Sequence, residues 1–296
     1  MSDFSFRELE CFLAVAEELS FTMAAKRLHL AQPPLSRHIR QLEEKLGVSL
    51  FHRTRRSVSV TDAGEAFREE AREILARVRR AGEAARRAAE GETEQLRIGF
   101  VSAVLSQEMV GVFSRFRESF PEIRLDLRDR LPSEQLRGLA DGELDVGFIG
   151  VAPEKPPRDV ITKSWMRESL MAFIPPHHRL SDRKTVSLST LSGESFVAIS
   201  SEAAQAYSSL VRNLCSEEGF QPRIVQEASR AQAVAAMSVT GSGIAILPAS
   251  LHRLTGNGIP LRLSGNRKAT VEYSVAARQT SGPGALSFIE QVGESS

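Results

Sequence analysis

Residues 31–47 read Ala31-Gln32-Pro33-Pro34-Leu35-Ser36-Arg37-His38-Ile39-Arg40-Gln41-Leu42-Glu43-Glu44-Lys45-Leu46-Gly47. At 100° per residue, Leu35, Ile39, Leu42 and Leu46 fall within about 60° of one another and make one apolar helical stripe. The opposite face carries Pro33, Arg37, Arg40 and Glu44, with the basic residues in the leading half and the acid a turn or more beyond. That order suits a helix that enters the DNA major groove by its N-terminus and is leaving it by Glu44. The two prolines are tolerated because first-turn N–H groups have no intrahelical partner and proline's φ is already helical. Gly47 supplies the stop.

Upstream, Thr22 is expected to cap a short helix from Met23 to His29 with Ala25 and Leu28 turned inward. A brief turn at Leu30 and Ala31 then leads into the proline-started helix, and two helices so closely joined read as a helix-turn-helix. Before them, Phe6, Leu9, Phe12, Leu13 and Ala16 follow helical spacing and predict a first amphipathic helix ending near Glu18. Downstream, Leu50, Phe51, Val58 and Val60 flank the polar tip His52-Arg53-Thr54-Arg55-Arg56-Ser57, the pattern of a β-hairpin wing whose arginines meet phosphate. From Phe21 to Val60 eight Lys/Arg stand against two acids, an excess of +6, whereas the whole chain carries only +1. A polyanion would bind there.

Thr61 and Asp62 cap the start of a long helix expected to run to about Glu90 and to stop at Gly91. Within it Phe67, Ala71, Ile74, Val78, Ala81, Ala85 and Ala88 alternate spacings of four and three, a heptad seam that calls for a partner helix. The bland alternative is a helix lying on its own domain's core. Arginine and glutamate on the other faces favour a dimer contact.

Beyond Gly91 strands alternate with helices, which implies an α/β sheet rich in parallel pairs. Strands are expected at 95–101, 124–130, 145–150 and 161–174, with helices at 104–120 and 133–140 between them. The last of these strands ends at Pro175-Pro176 and carries the chain into a second subdomain. Strands at 195–199, 223–226 and 243–248 and helices at 203–218 and 231–239 follow. A strand at 272–278 and a closing helix from Pro283 return to the first subdomain. The organisation expected is 1–60 DNA-binding domain, 61–92 linker helix and 93–296 sensor, the sensor split into 93–163 with 268–296 and 164–267.

The 296 residues, 42% hydrophobic and 25% charged, match an ordinary globular chain of two or three domains. Met1–Glu10 lacks an apolar signal core and no run of about 18 uncharged apolar residues occurs, so a cytoplasmic protein is expected. Cys11 and Cys215 stand alone, without a metal-ligand or disulfide pattern, and read as buried thiols. No metal or cofactor is expected.

Phe21-Thr22-Met23-Ala24-Ala25-Lys26-Arg27-Leu28, the stretch from Ala31 to Gly47, Leu50-Phe51-His52-Arg53 and Val60-Thr61-Asp62-Ala63-Gly64 together resemble, in order, the signature of the LysR-type transcriptional regulators. Gly142-Glu143-Leu144-Asp145-Val146-Gly147 and Gly241-Ser242-Gly243-Ile244-Ala245-Ile246-Leu247-Pro248 resemble the family's periplasmic-binding-protein-like sensor. The resemblance implies a winged helix-turn-helix with a linker helix, followed by a two-subdomain α/β sensor. It implies a homotetramer built as a dimer of dimers on an imperfect palindrome of double-stranded DNA, with RNA polymerase recruitment altered by an effector. Gln32, Pro33, Ser36, Arg37 and Arg40 match recognition-helix positions, and Arg53, Thr54, Arg55 and Arg56 match the wing. The chemistry agrees, since Arg can grip guanine O6 and N7, Gln adenine, and proline a thymine methyl, while serine and the wing arginines suit phosphate. Ala31 stands where the family commonly has Ser or Thr, and so gives up a cap of about 1 kcal/mol.

In α/β sheets ligands collect beyond the carboxyl ends of strands, where helix N-termini present unpaired N–H groups. Ser102, Ser133, Ser200, Ser201 and Ser229 fall at such points, with Arg230 beside the last, a set that suits a small carboxylate. The branch of the family that this chain resembles senses aromatic or dienoic acids. Where some benzoate- and muconate-sensing members have hydroxyls or an arginine, the register here gives Ala103, Pro132 and Gly150. Taken singly, each serine could equally be a helix cap. A solute-binding protein would share the sensor fold but has no use for residues 1–90. An enzyme would draw on Cys215, His177 and His178, yet no acidic orienter, phosphate loop or nucleophile elbow accompanies them.

Overall fold

In the computed structural model, which describes residues 4–54, 57–90, 95–157, 159–254, 256, 258–264, 269–279 and 281–293, the first helix is α1 (Phe6–Glu18). Ser5 opens it with a capping box: Glu8 N–H donates to Ser5 Oγ at 3.3 Å, and Ser5 N–H donates to the Glu8 carboxylate at 2.6 Å. The next helix, α2 (Phe21–Arg27), is capped by Ser20, whose Oγ accepts from Met23 N–H at 3.3 Å. Thr22 therefore lies inside the first turn instead of capping it. The earlier start brings Phe21 into the helix, where its ring packs 6.0 Å from that of Phe51.

Helix α3 (Gln32–Leu46) begins without a side-chain cap at Ala31, and Leu35, Ile39 and Leu42 are fully buried along the expected stripe. It ends at Gly47, at φ +71°, where the left-handed backbone lets the Gly47 N–H reach Glu43 O at 2.8 Å. The wing pairs β1 (Phe51–Arg53) with β2 (Val58–Val60) in antiparallel register, Phe51 opposite Val60. Thr61 then caps α4 (Asp62–Glu90), accepting from Gly64 N–H at 2.9 Å while its own hydroxyl donates to Ser49 O at 2.8 Å. Helix and wing meet at Gly64, where a Cβ would stand 2.3 Å from Leu50 O and 2.6 Å from Val60 Cγ1.

The core of this region is aromatic, with Phe12 placed 5.4 Å from Phe51 and 5.1 Å from Phe67. That contact corrects part of the expected seam on α4. Ala71 is fully buried in this domain's own core, and Phe67 and Ile74 pack against it from its edge. Val78, Ala81 and Ala85, farther along, are exposed. The bland alternative thus holds for the proximal turns, because the helix has to cover the core that α1 and the wing leave open.

The chain divides into two compact units, Met1–Glu92 with Ala140–Gly142, and Thr93–Leu139 with Glu143–Ser296. In chain order the second contains β3 (Gln95–Phe100), α5 (Gln107–Ser119), β4 (Arg124–Asp129), α6 (Pro132–Ala140), β5 (Val146–Gly150) and β6 (Val160–Ile174). There follow β7 (Thr185–Ser187), β8 (Ser195–Ile199), α7 (Ser201–Glu217), β9 (Arg223–Ala228), α8 (Ala231–Val239), β10 (Ala245–Pro248), β11 (Ile259–Ser264), β12 (Thr270–Arg278) and α9 (Pro283–Gly293). The helix expected at 104–120 starts later. Ser102–Val104 forms a 3-10 turn, and Ser106 caps α5 by accepting from Met109 N–H at 3.3 Å.

One sheet runs β4-β3-β5-β12-β6, with β3 parallel to β4 and β5, and β12 antiparallel to β5 and β6. From Val160 to Ser169 β6 pairs with β12; from Leu170 onward it pairs instead with β10 and β11, and β11 continues in parallel to β7. Strand β6 therefore serves both halves of the sensor, and its change of partner comes at Ser169–Leu170, beyond the boundary expected between 163 and 164. Strands β8 and β9 pair in parallel and join β10's approach through a bridge from Phe196 to Ile244. Phe148 packs on Trp165 at 4.8 Å, and Phe116 on Phe288 at 4.9 Å, to fill the first half's interior.

Candidate functional site

On α3 the residues opposite the buried stripe face outward. Gln32, Pro33, Arg37 and Arg40 are exposed, and Ser36 is half-buried. Neither Arg37, Arg40 nor Lys26 forms an ion pair among the described residues, which distinguishes them from Arg27, Lys45 and Arg53. Arg27 is held by Glu17 at 2.5 Å and Glu18 at 3.3 Å, and Lys45 by the buried Glu8 at 2.8 Å. Arg53 reaches Glu43 at 2.5 Å and lies over the Phe21 ring, 5.0 Å from its centroid. Among the described residues the unpaired positive charge of the region is thereby carried by Lys26 on α2 and by Arg37 and Arg40 on the leading half of α3, the acids that neutralise Arg27 and Lys45 coming from α1.

Glu43 does more than offset a charge. Its Oε1 accepts from the backbone N–H of Leu50 at 2.9 Å and of Phe51 at 3.3 Å, while Oε2 takes Arg53. One carboxylate thus ties the last turns of α3 to the root of the wing. Its position just before the hairpin was the only sequence signal of that role. At the wing tip Ser57 N–H donates to Thr54 Oγ1 at 3.0 Å, so the Thr54 hydroxyl closes the turn. Arg55 and Arg56 lie outside the described residues.

In the second unit a cavity of about 270 Å³ opens between the two halves of the sensor. Ala103, Pro132, Ser133 and Gly150 line it from the first half, and Ser201 and Ser229 from the second. Val101, Leu136, Ile149 and Ile199 make the wall largely apolar. Sequence reasoning missed Gln205, Tyr207 and Tyr273. Tyr207 donates to Ile246 O and Tyr273 to Glu168 Oε2, each at 3.0 Å. Burial pushes both phenols above their ordinary range and the Glu168 charge adds to it, so they stay protonated donors. Tyr273 reaches the cavity beside a β-bulge at Tyr273/Ser274, an irregularity that re-aims a side chain and leaves no mark in strand alternation.

Ser102, Ser200 and Arg230, expected at this site, do not line the cavity. Ser102 Oγ donates to Asp129 Oδ2 at 2.8 Å, and Arg230 Nη1 to Asp129 Oδ1 at 2.6 Å, so both are committed to one carboxylate from β4. Burial raises the Asp129 carboxyl, but the Arg230 and Ser102 hydrogen bonds outweigh it and hold the group below its usual value. Ser200 N–H is bonded to Ala228 O at 2.9 Å, which fixes its backbone alongside β9, and its side chain caps nothing. Cys11 and Cys215 are both buried, and burial pushes each thiol up to about 11, far from a reactive thiolate.

Residues 6–65 match the bacterial regulatory helix-turn-helix protein of the lysR family, and residues 89–296 match the LysR substrate binding domain. The chain belongs to the LysR family of transcriptional regulators. This LysR-type regulator is 32% identical over 273 residues to the HTH-type transcriptional regulator AlsR of Bacillus subtilis (strain 168), covering 92% of this chain and 90% of AlsR. The crystal structure of CbnR, a LysR family transcriptional regulator, aligns over 99% of both chains with a TM-score of 0.62 and 28% identity. Full-length CbnR complexed with its target DNA aligns over the same share of both chains, with a TM-score of 0.57 and 30% identity. As a LysR-type regulator the protein binds DNA through its N-terminal domain, and its C-terminal α/β domain is the effector-binding domain. Its relatives are transcriptional regulators and not enzymes. No helix among the described residues is long and apolar enough to cross a membrane.

Proposed function

We propose that the leading half of α3 reads base edges, Arg37 and Arg40 as bidentate donors to guanine, Gln32 to adenine and Pro33 against a thymine methyl. Ser36, Thr54 and the arginines from Arg53 to Arg56 are assigned to phosphate, with Arg53 also bracing the wing through Glu43. Two copies pair through the exposed distal turns of α4, at Val78, Ala81 and Ala85, and sensor contacts join the dimers into a tetramer. A small organic effector fills the cavity between the sensor halves, changes how the dimers sit on bent DNA and so alters RNA polymerase recruitment in the cytoplasm. The observation that carries the DNA reading is that Arg37 and Arg40 stand exposed and, among the described residues, without ion pairs, opposite the buried Leu35, Ile39 and Leu42 of the same helix. The solved complex of the relative CbnR with its target DNA supports it.

The test is footprinting of the DNA upstream of this protein's own coding sequence, with the wild type and with Arg37→Ala and Arg40→Ala. The wild type is expected to protect a long, imperfectly palindromic site and each variant to lose it at the same protein concentration. Full protection by both variants would overturn the assignment. A panel of small organic molecules added to the wild type is expected to shift the footprint's boundaries.

A further inference from the structure

An ion moved from water into an apolar cavity needs a counter-charge, or several strong donors, to offset its lost hydration. Among the described residues no Lys, Arg or His lines the sensor cavity, and the single charged lining residue is Glu202. Three helices begin at its wall, α6 at Pro132, α7 at Ser201 and α8 at Ala231, and a helix N-terminus carries partial positive charge. Two of these ends already hold an acid in the first turn. In α6 it is Glu134, whose Oε2 accepts the Leu131 N–H at 2.9 Å, and in α7 it is Glu202. Each offsets the field that an anionic ligand would seek.

At the third end Arg230 holds the N-cap position of α8 and would be the natural clamp for a carboxylate. Asp129 occupies it at 2.6 Å, and Ser102 binds the other oxygen of the same carboxylate at 2.8 Å. The chain supplies from its own β4 the anion that Arg230 would otherwise take from a ligand. Apart from Glu202, which repels an anion, what is left facing the cavity is uncharged polarity: the hydroxyls of Ser133, Ser201 and Ser229 and the amide of Gln205, none of which makes a side-chain hydrogen bond among the described residues. Such groups match a hydroxyl, carbonyl or amide and leave no formal charge to be balanced.

Resting on the reading of this cavity as the effector site, we propose that it takes an uncharged, largely apolar molecule with one such polar group, and that Asp129 sets this preference by occupying Arg230. A carboxylate effector would have to break the Asp129–Arg230 pair or enter with neutral hydroxyl and amide donors and no cationic partner. Either course costs it affinity relative to its neutral isostere.

The experiment is calorimetric titration of the full-length protein with three isosteric pairs: benzamide and benzoate, cinnamamide and cinnamate, hexanamide and hexanoate. Ser133→Trp and Leu136→Trp serve as two independent blocks of the cavity, each checked for folding by circular dichroism. At least one neutral member is expected to bind at least tenfold more tightly than its carboxylate partner and to lose that binding in both blocked variants. Asp129→Asn is expected to raise carboxylate affinity at least tenfold, and adding Arg230→Gln to it to remove the gain. Cavity-dependent binding that favours the carboxylates, or carboxylate affinity that Asp129→Asn leaves unchanged, overturns the inference while the cavity remains the effector site. Binding that no block affects, or no binding by any member of the panel, overturns the effector-site reading itself and this inference with it.

Discussion

Two carboxylates in the DNA-binding region show how single residues set its properties. Glu8 is buried and receives Lys45 at 2.8 Å as well as the Ser5 N–H and hydroxyl. Burial alone would raise its carboxyl, but Lys45 and Ser5 together hold it below the ordinary value. A carboxylate depressed in the folded state contributes stability that is complete above the unfolded value and is lost as pH falls through the folded one. Urea melts of wild type and Lys45→Met should therefore differ by about 1–2 kcal/mol at neutral pH, and converge as the pH drops below the usual carboxylate range. A difference that persists in acid would place the effect elsewhere. Glu43, which accepts two backbone N–H groups and Arg53, predicts a loss of about 1–3 kcal/mol in Glu43→Ala, measured the same way. Arg37→Ala should leave stability intact and cost about 1–3 kcal/mol in discrimination between the operator and a random duplex, read by competition binding. The outward placement of Arg37 and Arg40 was legible from helical spacing alone. The neutralisation of Arg27 and Lys45 was not, because their partners Glu17 and Glu8 lie on another helix and ion pairing across helices has no period.

Among the elements, α4 and its junction with the wing give the sharpest expectations. A Cβ at Gly64 would stand 2.3 Å from a backbone oxygen, and neither β1's root nor the first turn of α4 can yield without undoing the Thr61 cap. Gly64→Ala should cost about 1–3 kcal/mol in a denaturant melt, although alanine is otherwise the better helix former. If the proposed contact on α4 holds the dimer, Val78→Asp combined with Ala81→Asp should dissociate it in sedimentation without lowering the stability of the N-terminal core, whose last buried member is Ala71, since both positions are exposed. A dimer that survives them would move the contact to another face. The heptad spacing marks the apolar stripe of α4 but not what covers it: the proximal positions Phe67, Ala71 and Ile74 belong to this domain's own core, and the pairing of the distal ones with a second copy is a proposal. Strands β7 and β11 escaped the sequence reading for a physical reason. The first spans only Thr185–Ser187, and the second contains Pro260, a residue that normally argues against a strand inside a sheet.

At the scale of the whole chain, the division into a helical unit and an α/β unit was readable, because the apolar period changes near residue 91 from helical to alternating. The cavity was half readable. Ala103, Ser133, Gly150, Ser201 and Ser229 sit at strand and helix ends, where topology alone locates a cleft. Tyr273 arrives by a bulge, and Arg230 is withheld by Asp129, two outcomes that depend on coordinates and not on pattern. A ligand held at a hundredfold excess over its Kd would add about 2.7 kcal/mol to the folded state. Hydrogen exchange should register this as added protection in the first turns of α6, α7 and α8, and unchanged exchange there would locate the ligand elsewhere. The single strand β6, bonded to β12 along one stretch and to β10 and β11 along the next, has a mechanical corollary. A continuous ribbon embedded in two sheets behaves as a torsion bar: it resists stretching and yields to twist. Closure on a guest would then be a rotation about the Ser169–Leu170 peptide, with the far ends of the two lobes sweeping widest and the ribbon itself scarcely displaced.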